Sequence, residues 1–246
     1  MKHNERYSKN DYNVLILKDY NIKQKLTLMS TIRRKGFEVN NNAELRGTVH
    51  DSKLDSSISR TRSKIFELAY CNNWKYFVTL TIDNTKYKRD DLKSYKKALS
   101  QFLRDYNKKY NIKIKYLLIP ELHKDNQSWH MHGFIMGLPD SHLTVNSNGY
   151  LDWKAYRNKF GYISLGKIKN HEAVSKYCTK YITKDLAKSV NELNANMYYC
   201  SQGLNRAKEI KRGYLNPDAT ISWDYENDYV HVRWYSKNRP CDNFFQ

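Results

Sequence analysis

The sequence predicts an α+β fold, in which helices cover one side of a mainly antiparallel sheet. Short segments rich in β-branched and aromatic residues alternate with longer segments of helical periodicity. Two of the strand segments, 114–119 and 130–136, are separated by a short polar turn, which indicates a hairpin. We expect an open face or edge of this sheet to remain available to a ligand.

The remaining elements follow from periodicity and from capping residues. A helix is predicted over 51–70, because Ile58, Ile65 and Leu68 recur at helical spacing and Asp51 can cap its start. Asn170 is the expected cap of a later helix. The other predicted helices are 90–106, 153–159 and 171–186, with a basic helical turn at 206–211, and the other predicted strands are 76–82, 161–168, 198–201 and 228–235.

Composition divides the chain into three predicted segments. Residues 1–50 are polar and basic, apart from a short apolar run at 14–17, and are expected to form an N-terminal extension. Residues 51–190 contain the regular pattern of helices and strands and form the predicted core. Residues 191–246 are expected to complete or flank that core.

The charge of the chain favours a polyanionic partner. Lys and Arg number 43 against 25 Asp and Glu, giving a net charge of +18, and 21 tyrosines and five tryptophans are interleaved with them. Cations beside aromatic rings suit unpaired nucleic acid, although an AT-rich genome would also favour Lys, Asn and Tyr codons. The four widely spaced cysteines suggest neither a zinc site nor a disulfide framework. With no apolar run of about 20 residues, the expectation is a cytoplasmic protein without a membrane anchor.

Two histidines one residue apart form the first candidate site. His130 and His132 lie on a predicted strand, so their imidazoles point to the same face. Imidazole binds divalent transition metals well, and a carboxylate would complete the ligand set. Glu121 is the preferred third ligand because the hairpin returns it close to His130, whereas Asp125 and Glu172 are weaker candidates. The alternative is a pair of histidines hydrogen-bonded in an ordinary strand.

A doubled Tyr-x-x-Lys pattern forms the second candidate site. On a helix, Tyr177 and Tyr181 would share one face, as would Lys180 and Lys184. A tyrosine hydroxyl has a pKa near 10 in model peptides, so a cationic neighbour is needed to stabilise its phenolate. The alternative is one tyrosine in the core and one at the surface.

The order of these motifs resembles the HUH endonuclease superfamily, specifically rolling-circle replication initiators. The segment 77–81, Glu121 with His130-Met131-His132, and the doubled tyrosine pattern are similar to the three motifs of that superfamily. The resemblance covers about residues 75–187. It implies a ferredoxin-like (RRM-like) nuclease fold and nicking of single-stranded or extruded origin DNA.

The resemblance also implies roles for individual residues. His130, His132 and Glu121 would bind a divalent metal, Mg or Mn. Tyr177 and Tyr181 would be the nucleophiles, with Tyr177 slightly favoured, and Lys180 and then Lys184 would stabilise charge. A phosphate-binding G-x-x-x-x-G-K-[ST] motif is absent from the sequence, so a host helicase and a host polymerase of a bacterial cell are the expected partners.

Further residues are candidate DNA contacts, and other functions stay open. The candidates are Arg33, Arg34, Arg60, Arg62, Trp129, Lys167 and Lys169. Trp129 could instead support the metal site or pack in the core. A relaxase or a single-tyrosine transposase would use the same site, and a non-catalytic nucleic-acid-binding module would need only the cations and aromatic rings.

Overall fold

The computed structural model describes residues 7–33, 51–123, 128–192, 195–227, 230–237 and 240–246. Its helices are α1 (Asp51–Tyr70), α2 (Leu92–Tyr110), α3 (Lys154–Lys159), α4 (His171–Cys178) and α5 (Lys184–Glu192). Its strands are β1 (Tyr7–Asp19), β2 (Lys23–Arg33), β3 (Tyr76–Thr81), β4 (Lys115–Leu122), β5 (Trp129–Met136), β6 (Thr144–Val145), β7 (Leu151–Asp152), β8 (Ile163–Lys167), β9 (Tyr199–Cys200), β10 (Lys208–Tyr214), β11 (Tyr225–Glu226) and β12 (Val230–Ser236).

The chain forms two compact units. The central unit comprises residues 46–205, and the terminal unit comprises residues 1–45 together with 206–246. Each unit contains one sheet, and the paired strands of both sheets are antiparallel. The predicted α+β class is therefore confirmed, while the predicted boundaries at residues 51 and 191 stay a prediction.

The central unit is built on a seven-stranded sheet in the order β6-β7-β8-β3-β5-β4-β9. Phe134 and Ile135 are neighbours on β5 and point to opposite faces, yet both are at most 1% exposed. Both faces are thus covered near the middle of the sheet, whereas the sequence analysis expected cover on one side. The alternating burial of β3 did not indicate this, because Phe77, Thr79 and Thr81 on its second face are only partly buried.

The hairpin that carries the histidines extends further than predicted. β4 continues through Pro120, Glu121 and Leu122 instead of ending at 119, and Glu121 pairs with His130 across the hairpin. Proline is tolerated here because β9 pairs with only Leu117 and Leu118, so among the described strands β4 has no partner beyond them on that side. The turn itself, 124–127, lies outside the described residues.

The terminal unit is a five-stranded sheet in the order β10-β1-β2-β12-β11. The apolar run predicted at 14–17 lies within β1, and Leu15 and Leu26 on adjacent strands are fully buried in a second core. The prediction of a helical turn at 206–211 was wrong, because 208–214 form strand β10 against β1. Pairing with β1 outweighs the local pattern of charges in this segment.

No helix in the described ranges is long and apolar enough to cross a membrane.

Candidate active site

The strand register of the central sheet gathers five polar side chains on one face. Thr79 is opposite His132, and Thr81 is opposite His130, where β3 pairs with β5. Glu121 is opposite His130 on the other side of β5, where it pairs with β4. Directly opposed residues of antiparallel strands point to the same face. Two threonines, two histidines and one carboxylate therefore form a compact polar patch, which we call the histidine patch.

Threonine hydroxyls orient both imidazoles of this patch. The Oγ1 atom of Thr79 lies 3.0 Å from Nδ1 of His132, and Oγ1 of Thr81 lies 3.1 Å from Nδ1 of His130. With Nδ1 engaged in each ring, Nε2 is the nitrogen that remains to serve a ligand. The sequence analysis included the threonines only within a motif and missed this role, although their i, i+2 spacing matches that of the histidines.

Glu121 contacts His132 directly, and burial keeps the imidazoles neutral. Its Oε2 atom lies 2.6 Å from Nε2 of His132. Burial lowers the pKa of His132 below its ordinary value, although Glu121 opposes that shift. Burial also lowers the pKa of His130, reinforced by the neighbouring His123 and His132. Neutral imidazoles are the form that binds a metal.

The tyrosines are carried by a helix that breaks, contrary to the continuous helix predicted over 171–186. α4 begins as predicted, with the side chain of Asn170 accepting a hydrogen bond from the Ala173 amide, but it ends at Cys178. A 3₁₀ turn, Thr179–Tyr181, follows, and Ile182 is extended. The Thr183 hydroxyl then accepts from the amide of Leu186, within a new helix, α5. The capping tendency of threonine explains the break.

The break leaves Tyr181 in contact with the histidine patch. Its ring is stacked on the imidazole of His132, with centroids 4.4 Å apart and planes within 6°. Its hydroxyl donates to the hydroxyl of Tyr177, 3.2 Å away. Tyr177 in turn packs edge-on against Phe77 at 5.7 Å. The two tyrosines are therefore adjacent, as predicted, although they occupy different elements; we call residues 177–182 the tyrosine segment.

Lys180 lies over both tyrosine rings and makes them electrostatically unequal. Its Nζ atom is 3.6 Å from the centre of the Tyr177 ring and 4.9 Å from that of Tyr181. Hydrogen bonding to Lys180, and secondarily to Tyr181, lowers the pKa of Tyr177, which is 45% exposed. Burial, reinforced by the bond to Tyr177, raises the pKa of Tyr181. The exposed Tyr177 is thus the tyrosine that more readily becomes a phenolate.

Arg62 fixes the end of the tyrosine segment. From α1, its Nε and Nη2 atoms donate to the carbonyl oxygen of Ile182 at 2.9 and 2.7 Å. Ile182 directly follows the 3₁₀ turn that carries Tyr181, and its side chain is buried. The sequence analysis considered Arg62 only as a phosphate contact, and no local pattern could have indicated this bond between residues 120 positions apart.

The donor types of the histidine patch fit a divalent metal, although their arrangement is closed. Two imidazoles and a carboxylate are a common ligand set for such ions. Among the described residues, however, no group of three or more His, Cys, Asp or Glu side chains is arranged to hold a metal ion. The direct contact of Glu121 with His132 occupies the donor atoms that a metal would need. Metal binding here would require that contact to open.

The other predicted residues are distributed more widely. Trp129 is only 3% exposed, which favours core packing over base stacking. Lys167 lies 3.8 Å from Asp140. Lys169 and Arg60 are exposed, Glu172 is paired with Lys176, Arg33 ends β2, and Lys184 begins α5, on a different helix from Tyr177. The remaining two, Arg34 and Asp125, lie outside the described residues.

Comparison with known proteins gives one match, to a protein family. Residues 75–186 match the model of a family of replication-associated proteins, described by its member ORF2. No curated protein and no solved structure matches the chain. The matched range, a little under half of the 246 residues, contains Thr79, His130, His132 and both tyrosines. The similarity supports a replication initiator of the Rep type.

Proposed function

We propose that the central unit nicks and rejoins single-stranded origin DNA and so initiates rolling-circle replication. The observation that carries the proposal is the contact of the tyrosine segment with the histidine patch. Tyr181 is stacked on His132, Tyr177 shares a hydrogen bond with Tyr181, and Lys180 covers both rings. A candidate nucleophile, its cationic neighbour and candidate metal ligands thus lie within one cluster.

The proposed reaction is a transfer of a phosphodiester to tyrosine. The Tyr177 oxygen attacks the phosphorus, a new O–P bond forms, and the bond to the 3′ oxygen of the preceding nucleotide breaks. The phenol loses one proton and the leaving 3′ oxygen gains one, so the products are a 5′-phosphotyrosine and a free 3′ hydroxyl. Because one ester replaces another, the link can be reversed to rejoin the strand, and the 3′ hydroxyl can prime a host polymerase.

Each residue of the cluster has a proposed part in this reaction. Lys180 favours the Tyr177 phenolate, and Tyr181 donates a hydrogen bond to its oxygen. His130, His132 and Glu121 would hold Mg or Mn, which when bound would polarise a phosphate oxygen. A second attack by Tyr181 would require its hydroxyl to leave Tyr177, because burial raises its pKa. Lys184 would serve as a secondary cation near the DNA.

The test is the formation of a covalent adduct. Labelled oligonucleotides tiling both strands of the replicon that encodes the chain are incubated with Mn and the protein, then denatured and separated by electrophoresis. We expect an adduct that is lost with EDTA, lost in Tyr177→Phe and Tyr181→Phe combined, and most reduced among single variants in Tyr177→Phe. Tyr162→Phe, at a tyrosine that is 52% exposed, is the matched control and should keep the adduct.

Two other results would change the assignment. Tight binding to the strands without any adduct would indicate a non-catalytic nucleic-acid-binding module. An adduct formed only with a transfer origin or with the end of a transposon would indicate a relaxase or a transposase using the same residues.

A further inference from the structure

A groove lies beside Tyr177 on the side of its ring next to Phe77. It has a volume of about 520 Å³ and runs between β8 and α4. Phe77, Ile168 and Val174 provide apolar surface, and Tyr177 itself is one of the lining residues. A groove of this size is within the range of small-ligand sites. None of the described candidate metal ligands lines it, so it is separate from the histidine patch.

The charge around the groove is positive. Lys167 and Lys169 are among the lining residues, and both are exposed. Lys167 shares Asp140 with Lys75, but at 3.8 Å its own contact is the longer of the two. Within the described part of the chain, no carboxylate lines the groove. An apolar surface beside cations complements a flat ring attached to a phosphate.

We propose that this groove holds a nucleobase of the nucleotide next to the phosphate that Tyr177 attacks. The base would lie against Phe77, Ile168 and Val174, with Lys167 and Lys169 contacting the adjoining backbone phosphates. The proposal rests on the proposed function, because it takes Tyr177 as the nucleophile. Stacking on an aromatic surface tolerates any base, so the groove would position the strand without reading its sequence.

Two neighbouring positions allow the groove to be filled without disturbing the core. Ala173 is exposed on α4 and lines the groove. A Cβ atom added at Gly166 on β8 would meet nothing closer than the Phe77 carbonyl oxygen at 4.0 Å. Ala173→Trp and Gly166→Leu therefore obstruct the groove from two elements. Asn158→Trp, at an exposed position of α3, is the control for adding a surface tryptophan to a helix.

The experiment combines DNA binding with an abasic scan. Affinity for a fluorescent oligo-dT is measured for the wild type and the three variants, and adduct formation is measured on origin strands carrying one abasic site at successive positions. We expect both groove variants to bind oligo-dT roughly tenfold more weakly, as for the loss of one stacked base, and Asn158→Trp to bind normally. One abasic position should reduce the wild-type adduct similarly, and that position should have no further effect in Ala173→Trp.

The outcomes separate this inference from the proposed function. If the wild type forms the adduct but both groove variants bind and react normally, the groove assignment is wrong and the nicking proposal stands. If the wild type forms no adduct on any strand, the nicking proposal fails, and the groove is judged by oligo-dT binding alone. Unchanged binding in both variants would then overturn it, as would weaker binding in the control as well.

Discussion

The ring of Tyr181 lies flat on the imidazole of His132, with the two ring centres 4.4 Å apart. This contact joins the tyrosine segment to a strand of the sheet, and the hydroxyl bond from Tyr181 extends the connection to Tyr177. Tyr181 is therefore held between a candidate metal ligand and the exposed tyrosine. The tyrosines, which the sequence presents as equivalent, have different environments and opposite shifts of pKa.

The threonines of β3 should be required for activity although they bear no reactive group. Thr79→Val and Thr81→Val each remove the hydroxyl that orients an imidazole at Nδ1. We expect Mn affinity and adduct formation to fall by roughly 10–100-fold, as when a group supporting a metal ligand is lost. Isothermal titration with Mn measures the first effect. Thr144→Val, on the edge strand β6, is the control, and equal Mn affinity in all three variants would contradict the assigned role.

Lys180 should determine the pH dependence of adduct formation. The lysine lowers the pKa of Tyr177, so the phenolate fraction, and with it the rate, should reach its plateau at a lower pH than for an ordinary tyrosine with a pKa near 10. In Lys180→Met the rise should move to higher pH, and the rate at neutral pH should fall on the order of 100-fold. Single-turnover rates between pH 6 and 10 provide the measurement.

The control for that profile is Lys176→Met, because Lys176 is paired with Glu172 at 3.1 Å. Its pH profile should match that of the wild type. A profile for Lys180→Met that is lower at every pH but not displaced would show that Lys180 acts on the DNA and not on the tyrosine.

Arg62 should act as a positioning residue for the tyrosine segment. Arg62→Gln removes the two hydrogen bonds to the Ile182 carbonyl, so the 3₁₀ turn that carries Tyr181 loses its anchor to α1. We expect the single-turnover rate to fall by roughly 100-fold, as for a small misplacement of reacting groups, while the Kd for oligo-dT changes little. Arg62→Lys, which can restore one bond, should recover part of the rate.

Arg104→Gln, at an exposed arginine of α2 that donates to Gln101, controls for the loss of one positive charge. If Arg62→Gln instead weakened DNA binding without changing the rate at saturating DNA, Arg62 would be the phosphate contact that the sequence analysis expected.

Gly133 should be required for the stability of the histidine hairpin. Its φ of +156° disfavours other residues, and an added Cβ atom would collide with the carbonyl oxygen of Leu117 on β4. Gly133→Ala should lower the free energy of unfolding by about 2 kcal/mol or more, from strain and overpacking together. Urea denaturation followed by circular dichroism measures it. Gly149→Ala, with φ of +78° but open space around it, isolates the backbone term and should cost less.

Local sequence was sufficient where one pattern determined one element. The helical spacing of apolar residues gave α1 over Asp51–Tyr70, and the capping preference of Asn170 gave the start of α4. The period of two on β5 placed His130 and His132 on one face, and the hairpin brought Glu121 opposite His130. The α+β class also followed, because it depends only on which segments are strands and which are helices.

What the sequence could not provide depended on contacts between distant segments. The pairing of β1 with β10, the bonds from threonine hydroxyls to the imidazoles, and the anchoring of Ile182 by Arg62 all join residues far apart in the chain. The break between α4 and α5 depends on such a contact too, because Arg62 satisfies the carbonyl of the extended Ile182. Local propensity sets which elements form, but burial and hydrogen bonding across the fold decided which tyrosine is exposed and which is held against a histidine.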